Sequence, residues 1–212
     1  MTPSPADKLT VHRGSPPSNR YVWSPFVTKL EARLRFDGVA YRLGAGSPRS
    51  APKGKIPYVD VRLDDGEHDE TRVESLADST LIIRALVQRG MLHDVNAGLQ
   101  PAQRAHDLAV RAMLEDRVYF YGSREKWRDN YYAMRAHVLA AVPWPLQVLV
   151  GWLAYRGVES GLHGQGTGRL EHEEVQTLKL EVWESINALL VEARRSAGSG
   201  PDDRHTASSP VP

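Results

Sequence analysis

Trp23-Ser24-Pro25-Phe26, Lys55-Ile56-Pro57-Tyr58 and Ala77-Asp78-Ser79-Thr80 are the stretches on which the reading of this chain turns. A Ser-Pro pair at one helix start, an Ile-Pro pair before a strand and an Asp-Ser pair at a second helix start can set three backbone or hydroxyl anchors around one small anionic ligand. Ser24 is a good N-cap, and Pro25 is the favoured residue at the first helical position. From there Phe26, Val27, Leu30, Leu34 and Phe36 recur at near-helical spacing, which predicts a helix ending at Gly38.

Working outward, residues 9–12 read as a short strand and residues 15–20, with two prolines, a serine pair and an asparagine, as a loop. Residues 39–43 read as a second strand and 44–54 as a loop broken by glycines and prolines. A hairpin is expected from residues 58–63 and 71–76 around the acidic turn 64–70, which contains Asp65-Gly66. Asp78 then caps a helix carrying Leu81, Ile82, Ile83, Ala85 and Leu86 to Gly90. The order strand, helix, strand, strand, strand, helix suits a thioredoxin-like α/β unit. From Pro101 onward the spacing turns helical, over residues 102–121, 124–142, 145–157 and 171–195. The expected organisation is therefore a flexible leader at 1–8, a thioredoxin-like domain at 9–90, a linker at 91–100, a helical domain at 101–195 and a disordered tail at 196–212.

Composition narrows the chemistry. The chain has 212 residues, 27 basic and 26 acidic, for a net charge of +1, so no global field favours nucleic acid. It has no cysteine, which excludes disulfides, a cysteine nucleophile and thiolate metal sites, and any thiol must come with a ligand. The eight histidines suggest no metal site, because His163 and His172 stand nine apart across glycines with no second ligand at helical spacing. The glycines at 161, 164, 166 and 168 lack the Gly-Lys-Ser/Thr of a phosphate loop and read as a flexible interhelical loop. The most apolar stretch, residues 138–155, is interrupted by Pro143, Pro145, Gln147 and Gly151, so no transmembrane helix is expected. Surface docking of residues 142–155 on a membrane has little support from this interrupted pattern.

Residues 21–31 (YVWSPFVTKLE), 52–58 (PKGKIPY) and 77–83 (ADSTLII) resemble the glutathione transferase superfamily, in particular its failed-axon-connections and metaxin-like branch. The resemblance runs from about residue 9 to about 195, and GQGTGR at 164–169 is similar to that branch's loop before a late helix. It implies an α/β plus all-α fold, with a thioredoxin-like N-terminal domain followed by a helical glutathione transferase-type C-terminal domain. It further implies Ser24 as the catalytic residue that stabilises a bound thiolate. Pro57 would be cis, with the Ile56 backbone pairing to the cysteinyl amide of glutathione, Asp78 and Ser79 holding the γ-glutamyl end, and Lys55 adding charge for a carboxylate.

Each of these residues also has a structural duty. Ser24 can simply cap its helix, Pro57 can shape the turn without a ligand, Asp78-Ser79 can cap, and Trp23 can be a pocket wall or core. The functional readings are accordingly a glutathione transferase-like protein acting on a hydrophobic electrophile, with glutathione as cosubstrate and no metal, or a non-catalytic metaxin-like scaffold that binds a protein partner. A dimer is allowed, and the location is cytoplasmic with a mitochondrial outer-membrane association as the variant. The family pattern continues beyond the helix ending near Arg195, so the expectation is a shortened helical domain that leaves Val182, Trp183, Ile186, Leu189 and Leu190 exposed.

Overall fold

The computed structural model describes residues 8–15, 17–18, 22–63, 72–140 and 142–198. The expected leader up to residue 7, the acidic turn 64–70 and the tail from 199 lie outside them. The chain divides into two compact units, Met1–Gly98 and Leu99–Pro212.

In the first unit, β1 (Leu9–His12) is followed by α1 (Pro25–Phe36) and β2 (Arg42–Gly44), then by β3 (Tyr58–Leu63), β4 (Arg72–Ala77) and α2 (Ser79–Gln88). The sheet order is β2-β1-β3-β4, with β1 and β2 parallel and the other pairs antiparallel. This is a thioredoxin-like arrangement with a mixed four-stranded sheet. Period-two alternation sends Leu9 and Val11 of β1 and Val59 and Val61 of β3 to one face. There they meet Leu30 and Leu34 of α1, Ile82 and Leu86 of α2, and Leu92 beyond it. All nine are buried.

The opposite face is polar and ordered. His12 stacks on Tyr58 with ring centroids 4.2 Å apart, and its Nε2 lies 2.8 Å from Asp60 Oδ2. Ser75 Oγ donates to Asp60 Oδ1 at 2.5 Å, and the hydroxyls of Ser50 and Tyr58 are 3.0 Å apart. His12 is thus a half-buried member of a network.

β2 is shorter and later than the strand expected over 39–43. Val39 N instead donates to Leu34 O in the turn that ends α1, so the chain can join the sheet only at Arg42.

The second unit is helical. α3 (Pro101–Ala112) opens with a reciprocal capping box between Gln100 and Gln103. It runs without interruption through a π-helical stretch (Met113–Val118), α4 (Tyr119–Arg124) and a second π-helical stretch (Glu125–Asp129). α5 (Tyr131–Val138), α6 (Leu146–Gln165), a 3₁₀ turn (Thr167–Arg169) and α7 (His172–Gly198) follow. The helix expected over 124–142 is therefore broken at Asn130, whose φ of −122° and ψ of 34° leave the helical region. α6 extends past residue 157 and absorbs Gly161 and Gly164, which the sequence places in a loop. Two helical glycines cost about 1 kcal/mol each relative to alanine, an amount that tertiary packing around the buried Leu162 can override. The helix stops at Gly166, whose φ of 112° only glycine adopts readily. α7 likewise continues to Gly198, so 196–198 are helix rather than tail.

Tyr121, Met134, Leu162, Val175 and Val182 are buried in this unit. Trp183, Leu189 and Leu190 are exposed as expected, but Val182 is not, because it falls on the inward face of α7 two turns from Val175 and is covered. Among the described residues no helix is long and apolar enough to cross a membrane.

Candidate functional site

The Ile56–Pro57 and Asp78-Ser79 segments meet at one end of the first unit's sheet. Tyr58, which follows Pro57, pairs with His12 on one side and with Ala77 on the other. That register brings the ends of β1 and β4 beside the start of β3. The chain leaving β4 enters Asp78-Ser79.

Arg13 and Gly14 tie these parts together. Arg13 N donates to Gly44 O at 3.0 Å and Gly14 N to Ala45 O at 2.6 Å. A Cβ on Gly14 would lie 2.3 Å from Ile56 Cδ1, so only glycine lets the Ile56 side chain pack there, and its φ of 75° suits glycine as well. The Arg13 side chain turns back to α1, with Nε 2.6 Å from Glu31 Oε1, and both side chains are almost fully buried. Arg13 Nη1 also donates to Ser18 O at 2.5 Å.

Ser24 stands at the N-cap of α1 with φ −83° and ψ 115° and Pro25 at the next position, as its sequence suggests. Its carbonyl accepts from Thr28 N at 3.2 Å, whereas its hydroxyl makes no capping hydrogen bond. The side-chain capping duty read from the sequence is therefore not performed. No acid occupies the first turn of α1, so the positive helix end is not neutralised locally. Trp23, beside it, is 54% exposed and is not core.

The Ile56–Pro57 peptide is cis and Pro57 is fully buried, while Ile56 lies just outside the ladder that begins at Tyr58. Lys55 is exposed.

Asp78 caps α2: its Oδ1 accepts from Thr80 N at 3.0 Å and Leu81 N at 3.1 Å. It does so with φ 76° and ψ 119°, a conformation costly for any residue with a Cβ. Ser79, the first residue of α2, is buried.

Two charged groups at this end escaped the sequence reading. Lys29 Nζ donates to Thr80 Oγ1 at 2.8 Å, placing an ammonium at the start of α2. No sequence signal anticipates a contact across that separation. Glu31 is different, since its position four residues after Val27 puts it on the buried stripe, and a carboxylate there demands a cation. Elsewhere on this unit, a cavity of about 250 Å³ lies along α1 beside Thr28, Glu31, Ala32, Arg35 and Phe36.

The family model for the glutathione S-transferase N-terminal domain matches residues 25–134. The chain belongs to that family. This glutathione S-transferase-family chain is also similar to the crystal structure of glutathione transferase Omega 2S from Trametes versicolor in complex with 2,4-dihydroxybenzophenone. The identity is 13% and the TM-score 0.40, covering 88% of this chain and 98% of the other. A glutathione transferase family member from Pseudomonas fluorescens Pf-5 with bound S-(propanoic acid)-glutathione is similar at 18% identity and TM-score 0.31, covering 91% and 95%. The family match begins at Pro25, immediately after Ser24, and takes in the Ile56–Pro57 and Asp78-Ser79 segments.

Proposed function

We propose that this glutathione S-transferase-family chain binds glutathione at the sheet end formed by Ser24, Ile56–Pro57 and Asp78-Ser79, and that Ser24 stabilises its thiolate for attack on a hydrophobic electrophile. The observation that carries the reading is the Ser24 hydroxyl, which sits at the positive end of α1 and is not spent on capping it. A free cysteine thiol ionises near about 8.5, and a hydroxyl donor with a helix N-terminus lowers that value.

In this reading the Ile56 backbone pairs with the cysteinyl unit as an added strand would. Ser79, through its hydroxyl and the N–H groups opening α2, takes the γ-glutamyl carboxylate, and the Asp78 carboxylate faces its ammonium. Lys29, held at Thr80, adds positive charge at the carboxylate position, and Lys55 is available to the glycyl carboxylate. With an activated aryl halide the sulfur–carbon bond forms, the carbon–halogen bond breaks, halide leaves, and the thiol proton passes to solvent. The segments at 21–31, 52–58 and 77–83 are our grounds for placing the chain in the failed-axon-connections and metaxin-like branch.

The test is calorimetric titration with glutathione followed by a conjugation assay on an aryl halide. Ser24→Ala is expected to lower kcat/KM at least about tenfold, as loss of a thiolate-stabilising hydrogen bond to a charged group does, while unfolding stability moves by less than about 0.5 kcal/mol because no cap is lost. Absence of binding at millimolar glutathione would end the proposal, and a fully active Ser24→Ala would remove Ser24 from it.

A further inference from the structure

α6 has two unlike faces. Its inward face meets α5: Gly151 is buried, and Tyr155 packs edge-on against Tyr131 with centroids 5.3 Å apart. One helix diameter away, Leu146, Leu149, Val150 and Leu153 fall at the i, i+3, i+4, i+7 spacing of a single stripe, and all four are exposed. Trp144, between two prolines at the start of the helix, is 75% exposed, and Trp152 flanks the stripe at 47%. A contiguous apolar face of this kind in a water-soluble setting marks a place of contact.

The charges say with what. From residue 130 to residue 158 there is no acidic residue, while Arg135 and Arg156 lie within it. Arg156 rests over the Trp152 ring at 5.0 Å, and Arg135 over Tyr131 and Tyr132 at 5.6 and 5.5 Å. The acids that bound the segment are turned elsewhere: Asp129 faces His172 at 3.5 Å, and a Glu159 carboxylate oxygen is buried. A symmetric contact between two copies would set this face against itself, arginine against arginine with no carboxylate to pair. An anionic surface meets Arg156. The stripe is flanked by Trp144 and Trp152, side chains of the type that favours the bilayer–water interface, with Arg156 placed to reach headgroups over its apolar stem.

We infer that the outer face of α6 docks the protein on anionic bilayers. Leu146, Leu149, Val150 and Leu153 enter the acyl boundary, Trp144 and Trp152 sit at headgroup level, and Arg156 pairs with lipid phosphates. The inference is independent of the glutathione reading, since none of these residues belongs to the first unit.

The experiment is flotation of the full chain with vesicles of phosphatidylcholine alone and of phosphatidylcholine with phosphatidylserine, alongside light scattering for mass. Wild type should float with the mixed vesicles, bind them at least roughly tenfold more tightly than the neutral ones, and lose that advantage as salt rises. Leu149→Glu with Leu153→Glu should abolish flotation with circular dichroism unchanged, since both side chains are exposed. Arg156→Glu should remove most of the preference for phosphatidylserine. Failure of wild type to float would overturn the inference. So would undiminished flotation of the double variant, or a wild-type dimer that the double variant converts to monomer.

Discussion

The two units handle apolar side chains in opposite ways. In the first, Leu9, Val11, Leu30, Leu34, Val59, Val61, Ile82 and Leu86 are sealed between one sheet face and two helices. In the second, Leu146, Leu149, Leu153, Trp183 and Leu190 stand exposed on helices that bury only a few residues each. A sheet with helices on one face closes a core around every inward position, whereas a helix has a circumference and needs a neighbour for each apolar stripe. The first unit is the natural rigid platform for a binding site, and the candidate anchors sit at its edge. The second is a surface looking for contact, and its two exposed faces differ. The face on α6 is free of acids, while Trp183 and Leu190 on α7 are interspersed with Glu181, Glu184 and Glu192. An anionic bilayer distinguishes these two faces.

Mutations that test how deeply the two units differ follow in order of expected size. Glu31→Ala removes one partner of the buried Arg13–Glu31 pair and strands a guanidinium with 2% of its surface exposed. It should cost about 3–5 kcal/mol in denaturant unfolding of the first unit, while Leu153→Ala in the second should change stability by less than about 0.5 kcal/mol. Replacing both partners by apolar residues, Arg13→Met with Glu31→Leu, should recover most of the loss. Equal effects of Glu31→Ala and Leu153→Ala would erase the contrast.

Next comes Asp78→Ala, which removes the acceptor for Thr80 N and Leu81 N and leaves a Cβ at φ 76°. A loss of about 1–2 kcal/mol is expected from the cap, with Asp78→Asn milder because asparagine keeps an acceptor and tolerates positive φ. If the two variants unfold identically, the cap is not what Asp78 contributes.

The smallest effect is acid sensitivity confined to the first unit. The hydrogen bond from Arg33, at 2.5 Å, is the main cause holding the Asp37 carboxyl below its ordinary value of 3.8, and a backbone bond from His93 N at 2.7 Å adds to it. A depressed carboxyl pKa contributes stability that is whole above the ordinary value and is lost as pH falls through the lower, folded-state value. Asp37→Asn should therefore flatten the acid limb of the first unit's stability, followed by near-ultraviolet circular dichroism between pH 5 and pH 2, values spanning the usual carboxylate range. An unchanged limb would remove Asp37 as its source.

Much of the first unit was legible in advance because its signals are local. Alternation marked β1 and β3, Ser24-Pro25 and Asp78 marked the two helix starts, and the apolar spacing after Pro25 marked the buried stripe of α1. β2 was misplaced because residues 39–41 carry strand-like composition but are occupied in ending α1. In the second unit, the glycines at 161 and 164 pointed to a loop that packing around Leu162 overrode. At the candidate site, the three segments were visible as turn and cap chemistry. The Lys29–Thr80 bond was not, since nothing near Lys29 in the chain distinguishes it from Arg33 or Arg35.

By itself the sequence determined the absence of a protein thiol and the residues that open the two helices of the first unit, because dihedral preference, capping and periodicity act within a few residues. Only tertiary structure decided that the Ser24 hydroxyl is not spent on its cap, that Arg13 and Glu31 bury their charges together, and that the apolar stripe of α6 faces outward while Val182 faces in. Each of these depends on what lies across the chain at long separation, where the same side chain can be core, cap or contact surface according to its neighbour.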